Sequence, residues 1–368
     1  MRKPYLTFIL LLLLLACSVT GCAETPAARR EALPTFSERT VLDLMERTLK
    51  KGKTDFQMHY TYEPGLKERI TDTVKEHFQD RYLTQCLLKD VSIEFNRSGD
   101  TLTADYKMHY IDVYEGCGPV YTIENGEDLE DLFTESYLNH WKMTAVLIKG
   151  GEIADDEIFG RMNSAEINCS LMAYEATELT YAICPPGDGE KLALTWASFP
   201  ADSEALSAGQ DELHQAAAEA ASYISQTQSG SGEGGLYRAV YDYLLEHAEY
   251  DEALSQATLL GPEHVTADMH RQRSAYGALI DGKTVCTGYA RAFHALCDQL
   301  GLPCYTILGE YNGAKHAWNA VIIDGETRYV DCTLADTGTP ESETFLINEE
   351  QKNALGYIED DYFGDRVK

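Results

Sequence analysis

Three residues in one stretch of the chain have the types and the order needed for covalent catalysis: Cys286 in TVCTGYARAFHALCDQLG, His316 in HAWN and Asp331 in YVDCT. Together they supply a thiol nucleophile, a base and a carboxylate to orient the base. A thiol attacks well only as its thiolate, so it needs that base and a local positive potential, commonly the N-terminus of a helix.

The surrounding elements must provide both. From Cys286 the apolar positions are Cys286, Tyr289, Ala290, Phe293, Leu296, Cys297 and Leu300, the i, i+3, i+4, i+7 stripe of a helix packed on one side. The stripe puts Cys286 at the helix start, and Gly301 with Pro303 closes the helix. There the helix dipole favours an anion by a few tenths to ~1 kcal/mol when exposed. Next come strands predicted at 304–311, 316–323 and 327–333, with a loop at 312–315. Asp324-Gly325 is a two-residue hairpin turn, so Ile323 pairs with Glu326, and counting back sets Trp318 opposite Asp331. His316 shares the face of Trp318 and lies diagonal to Asp331, at a Cα separation of roughly 7–8 Å that two polar side chains can bridge. The carboxylate can then hold the imidazole in one tautomer.

VCTGYA, HAWN and YVDCT, in that order, resemble the core of the transglutaminase-like (papain-like cysteine enzyme) superfamily, and Tyr276-Gly277-Ala278-Leu279 matches its bacterial members. The resemblance covers about 236–345, under a third of the chain. It implies a nucleophile helix packed on an antiparallel sheet that carries the histidine and the aspartate. The implied chemistry is acyl transfer through a thioester, with water or an amine as acceptor. Oxyanion donors are also required, and the backbone N–H of Cys286 at a helix start is one. The resemblance suggests Tyr250 as another, where the family places an aromatic residue. Animal transglutaminases have tryptophan there, so the tyrosine departs from the cross-linking enzymes.

Other reactive residue types have plainer readings. Cys297, Cys304 and Cys332 read as small apolar packing residues. Trp318 reads as a wall beside His316 that also excludes water. His264 and His270, six apart in a polar stretch, match no metal-ligand spacing and read as a solvated loop, and His294 reads as structural or exposed. No DxDxDG calcium loop is present, and neither a metal nor an organic cofactor is implied.

Arg2 and Lys3 precede an apolar run at 6–16, too short to span a bilayer and suited to a secretory signal. Val19-Thr20-Gly21-Cys22 resembles a bacterial lipobox, which implies lipidation of Cys22. Cys17 is a weaker alternative, and plain secretion is the other reading. Acyl chains on Cys22 would anchor the chain stably outside the cytoplasmic membrane. Setting aside Cys17, Cys22 and Cys286 leaves seven of the ten cysteines. Their scatter resembles neither a disulfide scaffold nor CxxC pairs, so most are expected to be reduced and buried. An extracytoplasmic setting leaves room for one or two bridges.

Thirty basic against 60 acidic residues give a formal charge of −30, which disfavours nucleic acid and suits basic peptides or amines. Hydrophobic content of 44% over 368 residues supports two or three packed domains. The expected fold class is α+β throughout: a signal peptide at 1–22, a tether at 23–35, an α+β unit at 36–115, a second at 116–200, a helix and linker at 201–234, and the transglutaminase-like domain at 235–368. The linker is placed in the Gln, Ser and Gly-rich stretch 225–235, after an alanine-rich helix at 211–224. The two units read as a repeat. Helix 41–49, strand 56–62, helix 66–78 and hairpin 91–95/102–110 answer to helix 129–138, strand 143–148, helix 153–172 and hairpin 177–183/191–197. Asn348 to Gln351 resembles a capping box opening a last helix, and the acidic end from Glu359 reads as frayed.

The expected function is a lipid-anchored thiol hydrolase acting on surface proteins or cell-wall peptides. A cross-linking transamidase with an amine acceptor shares the same residues. A third reading, of another class, is a wall-binding or adhesion module with a vestigial catalytic domain, its 23 tyrosines forming the contact surface.

Overall fold

The computed structural model describes residues 33–112, 119–124, 126, 128–149, 153–187, 189–228 and 232–360. The signal peptide, the lipidation site Cys22 and most of the tether expected from the sequence lie outside these residues, as does Cys117. Among the described residues no helix is long and apolar enough to cross a membrane.

The first unit comprises α1 (Glu38–Leu49), β1 (Asp55–Thr61), α2 (Leu66–His77), α3 (Tyr82–Leu87), β2 (Leu88–Ser98) and β3 (Thr101–Tyr110). Its antiparallel sheet has the order β1-β3-β2. Leu102, Ala104, Tyr106 and Met108 alternate along β3 and join Val41, Met45, Ile70 and Val74 of the helices in one core. The second unit comprises β4 (Val120–Ile123), α4 (Asp128–Leu138), β5 (Met143–Lys149), α5 (Asp155–Asn168), β6 (Glu178–Ile183) and β7 (Glu190–Ser198), with sheet order β4-β5-β7-β6. The sequence gives no sign of β4, because four residues are too few for a period-two pattern and its partner is supplied by tertiary structure.

Apart from α3 in the first unit and β4 in the second, the two units share element order, strand order and register. Shifting β1 and β2 by 88 positions and β3 by 89 converts Phe56↔Tyr106 into Thr144↔Thr195 and Val91↔Met108 into Leu179↔Ala197. The same shift keeps the helix-facing side: Ala104 and Met108 correspond to Ala193 and Ala197, both buried with α4 and α5. The other face of the second sheet, Ala145, Leu147, Leu192 and Leu194, packs into the core of the first unit. Burial on both faces accounts for the apolar run at 145–148 in β5.

Next comes α6 (Ser203–Thr227), capped by Asp202, whose side chain accepts from the N–H of Ala205 at 2.9 Å. It runs well beyond the expected 211–224, and α7 (Glu233–His247) begins inside the stretch expected to be a linker. The reason is packing: Leu206, Leu213, Ala217, Ala220 and Ile224 are buried in one core with Tyr237, Val240, Tyr241 and Leu244 of α7. The remaining elements are β8 (Glu249–Tyr250), α8 (Glu252–Leu260), α9 (Ala267–Gln272), β9 (Lys283–Thr284), α10 (Cys286–Leu300), β10 (Cys304–Tyr311), β11 (Ala314–Ile323), β12 (Glu326–Val330), α11 (Cys332–Asp336), α12 (Glu349–Ala354) and β13 (Tyr357–Glu359). Four strands form an antiparallel sheet in the order β12-β11-β10-β13.

α10 lies between this sheet and α6 with α7, so residues 288–297 are all buried rather than a single stripe. Polar contacts bind the second unit to it. Arg291 on α10 pairs with Glu166 of α5 at 2.7 Å, Ser170 donates to Asp298 at 2.6 Å, and the N–H of Thr306 donates to Asn168 at 3.0 Å. The chain is thus an α+β protein whose C-terminal domain packs helices on sheets, preceded by smaller α+β units.

Candidate active site

α10 begins at Cys286, and its N-cap is Val285, which has no side-chain hydrogen bond to offer. A helix leaves its first N–H groups without intrahelical partners. A valine cap therefore leaves those of Cys286 and Thr287 free to bind an oxyanion. The backbone around them is tightly packed. A Cβ on Gly288 would meet Thr284 Oγ1 at 1.8 Å and the Ser274 carbonyl at 2.8 Å, so the helix reaches this depth only with glycine there. At the far end Gly301 takes the left-handed conformation, φ 69°, as a C-cap.

The hairpin register is the one that the turn dictates. Asp324 and Gly325 both have positive φ, at 53° and 79°, and the pairs run from Ile323↔Glu326 to Asn319↔Val330. His316 Nε2 lies 2.7 Å from Asp331 Oδ2. Strand β12, however, ends at Val330 and not at 333. Asp331 is the N-cap of α11, and its Oδ1 accepts from the N–H of Leu334 at 2.9 Å. A capping aspartate ends the strand, and the same side chain orients the imidazole. The carboxylate is 2% exposed.

His316 also neighbours the Cys286 thiol at the cleft, and the ring nitrogen not engaged by Asp331 is Nδ1. Burial pulls the His316 pKa down, but the charge and hydrogen bond of Asp331 and the neighbouring Cys286 outweigh this and push it up to about 10. Cys286 and His316 open into a cleft of about 650 Å³ that Tyr250, Thr287, Arg273 and Lys315 also line.

Tyr250 is in the cleft, but its hydroxyl donates to Ser255 at 2.9 Å, so an oxyanion would have to compete for that proton. Trp318 is 1% exposed and stands behind His316, ring centroids 6.1 Å apart, as a wall rather than a cleft residue. Opposite His316 in the register is Gly309, where a Cβ would fall 2.1 Å from the Ile358 carbonyl and 2.7 Å from Trp318. That close approach lets β13 pair with β10 and delivers Tyr357, whose hydroxyl donates to Asp331 Oδ2 at 2.9 Å. Sequence reasoning missed this tyrosine, which falls between the expected last helix and the end read as frayed from Glu359. The available signal was Gly356 after a capped helix, followed by an aromatic and a β-branched residue; its φ is 90°.

The remaining residues fall outside the site. Cys297, Cys304 and Cys332 are buried packing residues. His294 is buried against Thr306, its Nδ1 3.2 Å from the hydroxyl, and burial lowers its pKa. His270 is not in a solvated loop. It lies on α9 with Nδ1 3.4 Å from Glu175, which also accepts from Arg273 at 3.0 Å. Among the described residues no cluster of histidine, cysteine and carboxylate side chains could hold a metal.

Comparison with known proteins matches residues 219–332 to the transglutaminase-like superfamily. Kyphoscoliosis peptidase of Mus musculus and that of Homo sapiens are each 33% identical over 131 residues, covering 30% of this chain and 18% of theirs. The chain thus spans less than a fifth of the length of these curated relatives. A solved structure described as a TGase aligns at 15% identity and a TM-score of 0.31, over 68% of this chain and 67% of its own. The C-terminal domain is transglutaminase-like. The family match takes in Cys286, His316 and Asp331 and stops short of Tyr357.

Proposed function

We propose that the protein is a cysteine hydrolase that cleaves amide bonds in peptides or proteins through a thioester on Cys286. Below its raised pKa His316 is an imidazolium, which stabilises the Cys286 thiolate beside it. The thiolate attacks the amide carbonyl. The N–H groups at the start of α10, with Tyr250 if its hydroxyl turns from Ser255, receive the charge on oxygen. His316 gives its proton to the leaving amine, and the neutral ring then takes one from the water that releases the acyl group. Asp331 holds the ring in the tautomer that presents Nδ1 to the sulfur. A single observation carries this reading: a buried aspartate bonded to a histidine that shares one cleft with a thiol at a helix N-terminus. The name of the matched curated relatives, a peptidase, supports a peptide or protein substrate.

We further propose that the enzyme works outside the cytoplasmic membrane, tethered by lipid on Cys22, with surface proteins or cell-wall peptides as substrates. The basic residues, short apolar run and small residues before Cys22 support this. Metabolic labelling with a fatty acid should mark the wild type and not Cys22→Ser. For the chemistry, a labelled peptide library and purified wall peptides should be cleaved by the wild type and not by Cys286→Ala. Equal cleavage by both would defeat the hydrolase reading, and Cys286-dependent capture of a fluorescent amine in place of hydrolysis would replace it with transamidation.

A further inference from the structure

Cys86 on α3 of the first unit and Cys184 just after β6 of the second are both partly buried, pack against one shared core, and their thiols act on each other as neighbours. A docking contact brings them together. Tyr82 is four residues before Cys86 and so on the same face of α3. Its oxygen accepts from the N–H of Leu192 on β7 at 2.9 Å, and the Leu192 carbonyl accepts from the N–H of Cys184 at 3.0 Å. The turn between β6 and β7 closes on the same ring: a Cβ on Gly187 would lie 2.8 Å from Tyr82. The Tyr82 hydroxyl is thereby held beside Cys86, whose thiol it and Cys184 both influence.

We propose that Cys86 and Cys184 form a disulfide that clasps the first α+β unit to the second, made by exchange with an external disulfide, either a small molecule such as oxidised glutathione or a disulfide carrier protein. Cys86 is the attacking group, because the neighbouring Cys184 thiol lowers its pKa against the opposing effect of burial, and Tyr82 adds to the lowering. Its thiolate attacks one sulfur of the external disulfide, whose S–S bond breaks to release the first thiol. Cys184 then gives up its proton and attacks the Cys86 sulfur, expelling the second thiol. Two protein thiols and one disulfide become one protein disulfide and two thiols, so no other oxidant is involved. Cys297 and Cys304 also touch, but both are buried within the C-terminal core, out of reach of such a reagent.

The full chain, reduced and then equilibrated with oxidised glutathione, should yield on unreduced digestion a peptide pair joined through Cys86 and Cys184 and lighter by two hydrogens than the separate peptides. The pair should vanish in Cys86→Ser and in Cys184→Ser. Reductant should lower the thermal midpoint of the oxidised wild type and leave that of Cys86→Ala unmoved. The proposal is overturned if both thiols of the wild type remain fully alkylatable after oxidation, or if either is found joined to Cys117 instead.

Discussion

The Tyr357 hydroxyl and the imidazole of His316 meet on one atom, Asp331 Oδ2, at 2.9 and 2.7 Å. With Leu334 on Oδ1, the buried carboxylate has three donors around it, and only one belongs to the proposed catalytic trio. Burial, and then the charge of Asp331, push the tyrosine pKa up, so it stays protonated as a donor. Tyr357→Phe removes the donor and leaves the ring in place. The expected result is a fall in kcat of about tenfold, the equivalent of ~1.4 kcal/mol, with KM nearly unchanged. A change confined to KM would show that Tyr357 shapes the cleft and does not steady Asp331.

The pH dependence turns on the same carboxylate. His316 has a folded pKa of about 10 against an ordinary 6.5. The stability it contributes is therefore complete below pH 6.5 and is lost as pH rises through 10. Asp331→Asn keeps the cap on Leu334, since asparagine caps equally well, but removes the charge that opposes burial of the imidazole. The alkaline limit of peptide cleavage, which needs the proton of His316 for the leaving amine, should then retreat by about one pH unit or more. The stability gap between wild type and variant should narrow as pH 10 is approached. An unmoved alkaline limit would mean that Asp331 does not set the charge of His316.

The site was legible where a local rule fixes distance. The Asp324-Gly325 turn determines the register by counting, and that alone aligns His316 with Asp331. Periodicity likewise put Cys286 at a helix start. What stayed hidden depends on neighbours remote in sequence. β4, β8, β9 and β13 have two to four residues each and are strands only because a partner is present. Tyr357, between the expected last helix and the end read as frayed from Glu359, therefore drew no strand reading. Asp331 was read as a strand residue because the apolar alternation running into it masked its capping role. Burial of α10 all round, in place of a single stripe, follows from α6, whose packing on it no local pattern announces.

Gly288 tests how tightly the nucleophile is set. A methyl there overlaps the Thr284 side chain, which itself donates to the Gln272 carbonyl at 2.6 Å, and presses on the Ser274 carbonyl. None of these atoms is the free end of a flexible side chain. Gly288→Ala should cost about 1–3 kcal/mol or more by overpacking and should slow alkylation of Cys286 by displacing the start of α10. Urea unfolding and iodoacetamide kinetics measure the two effects. A variant of unaltered stability would contradict the close packing described.

Arg291 decides whether the second unit is part of one fold with the C-terminal domain. It is 1% exposed, five residues beyond the nucleophile, and one of its nitrogens binds Glu166 at 2.7 Å while Nε and Nη1 have no hydrogen-bond partner. Glu166→Gln would leave the guanidinium charge buried with only the more distant Glu175 to balance it. Breaking a buried pair from one side costs about 3–5 kcal/mol, and Glu175 places this case toward the lower end. Replacing both partners with methionine removes the stranded charge, and this double variant should recover most of the loss. A chain beginning at residue 201 lacks Glu166 altogether and should unfold far more readily than the full protein. Equal urea midpoints for wild type and Glu166→Gln would show that the ion pair does not hold α5 to the catalytic helix.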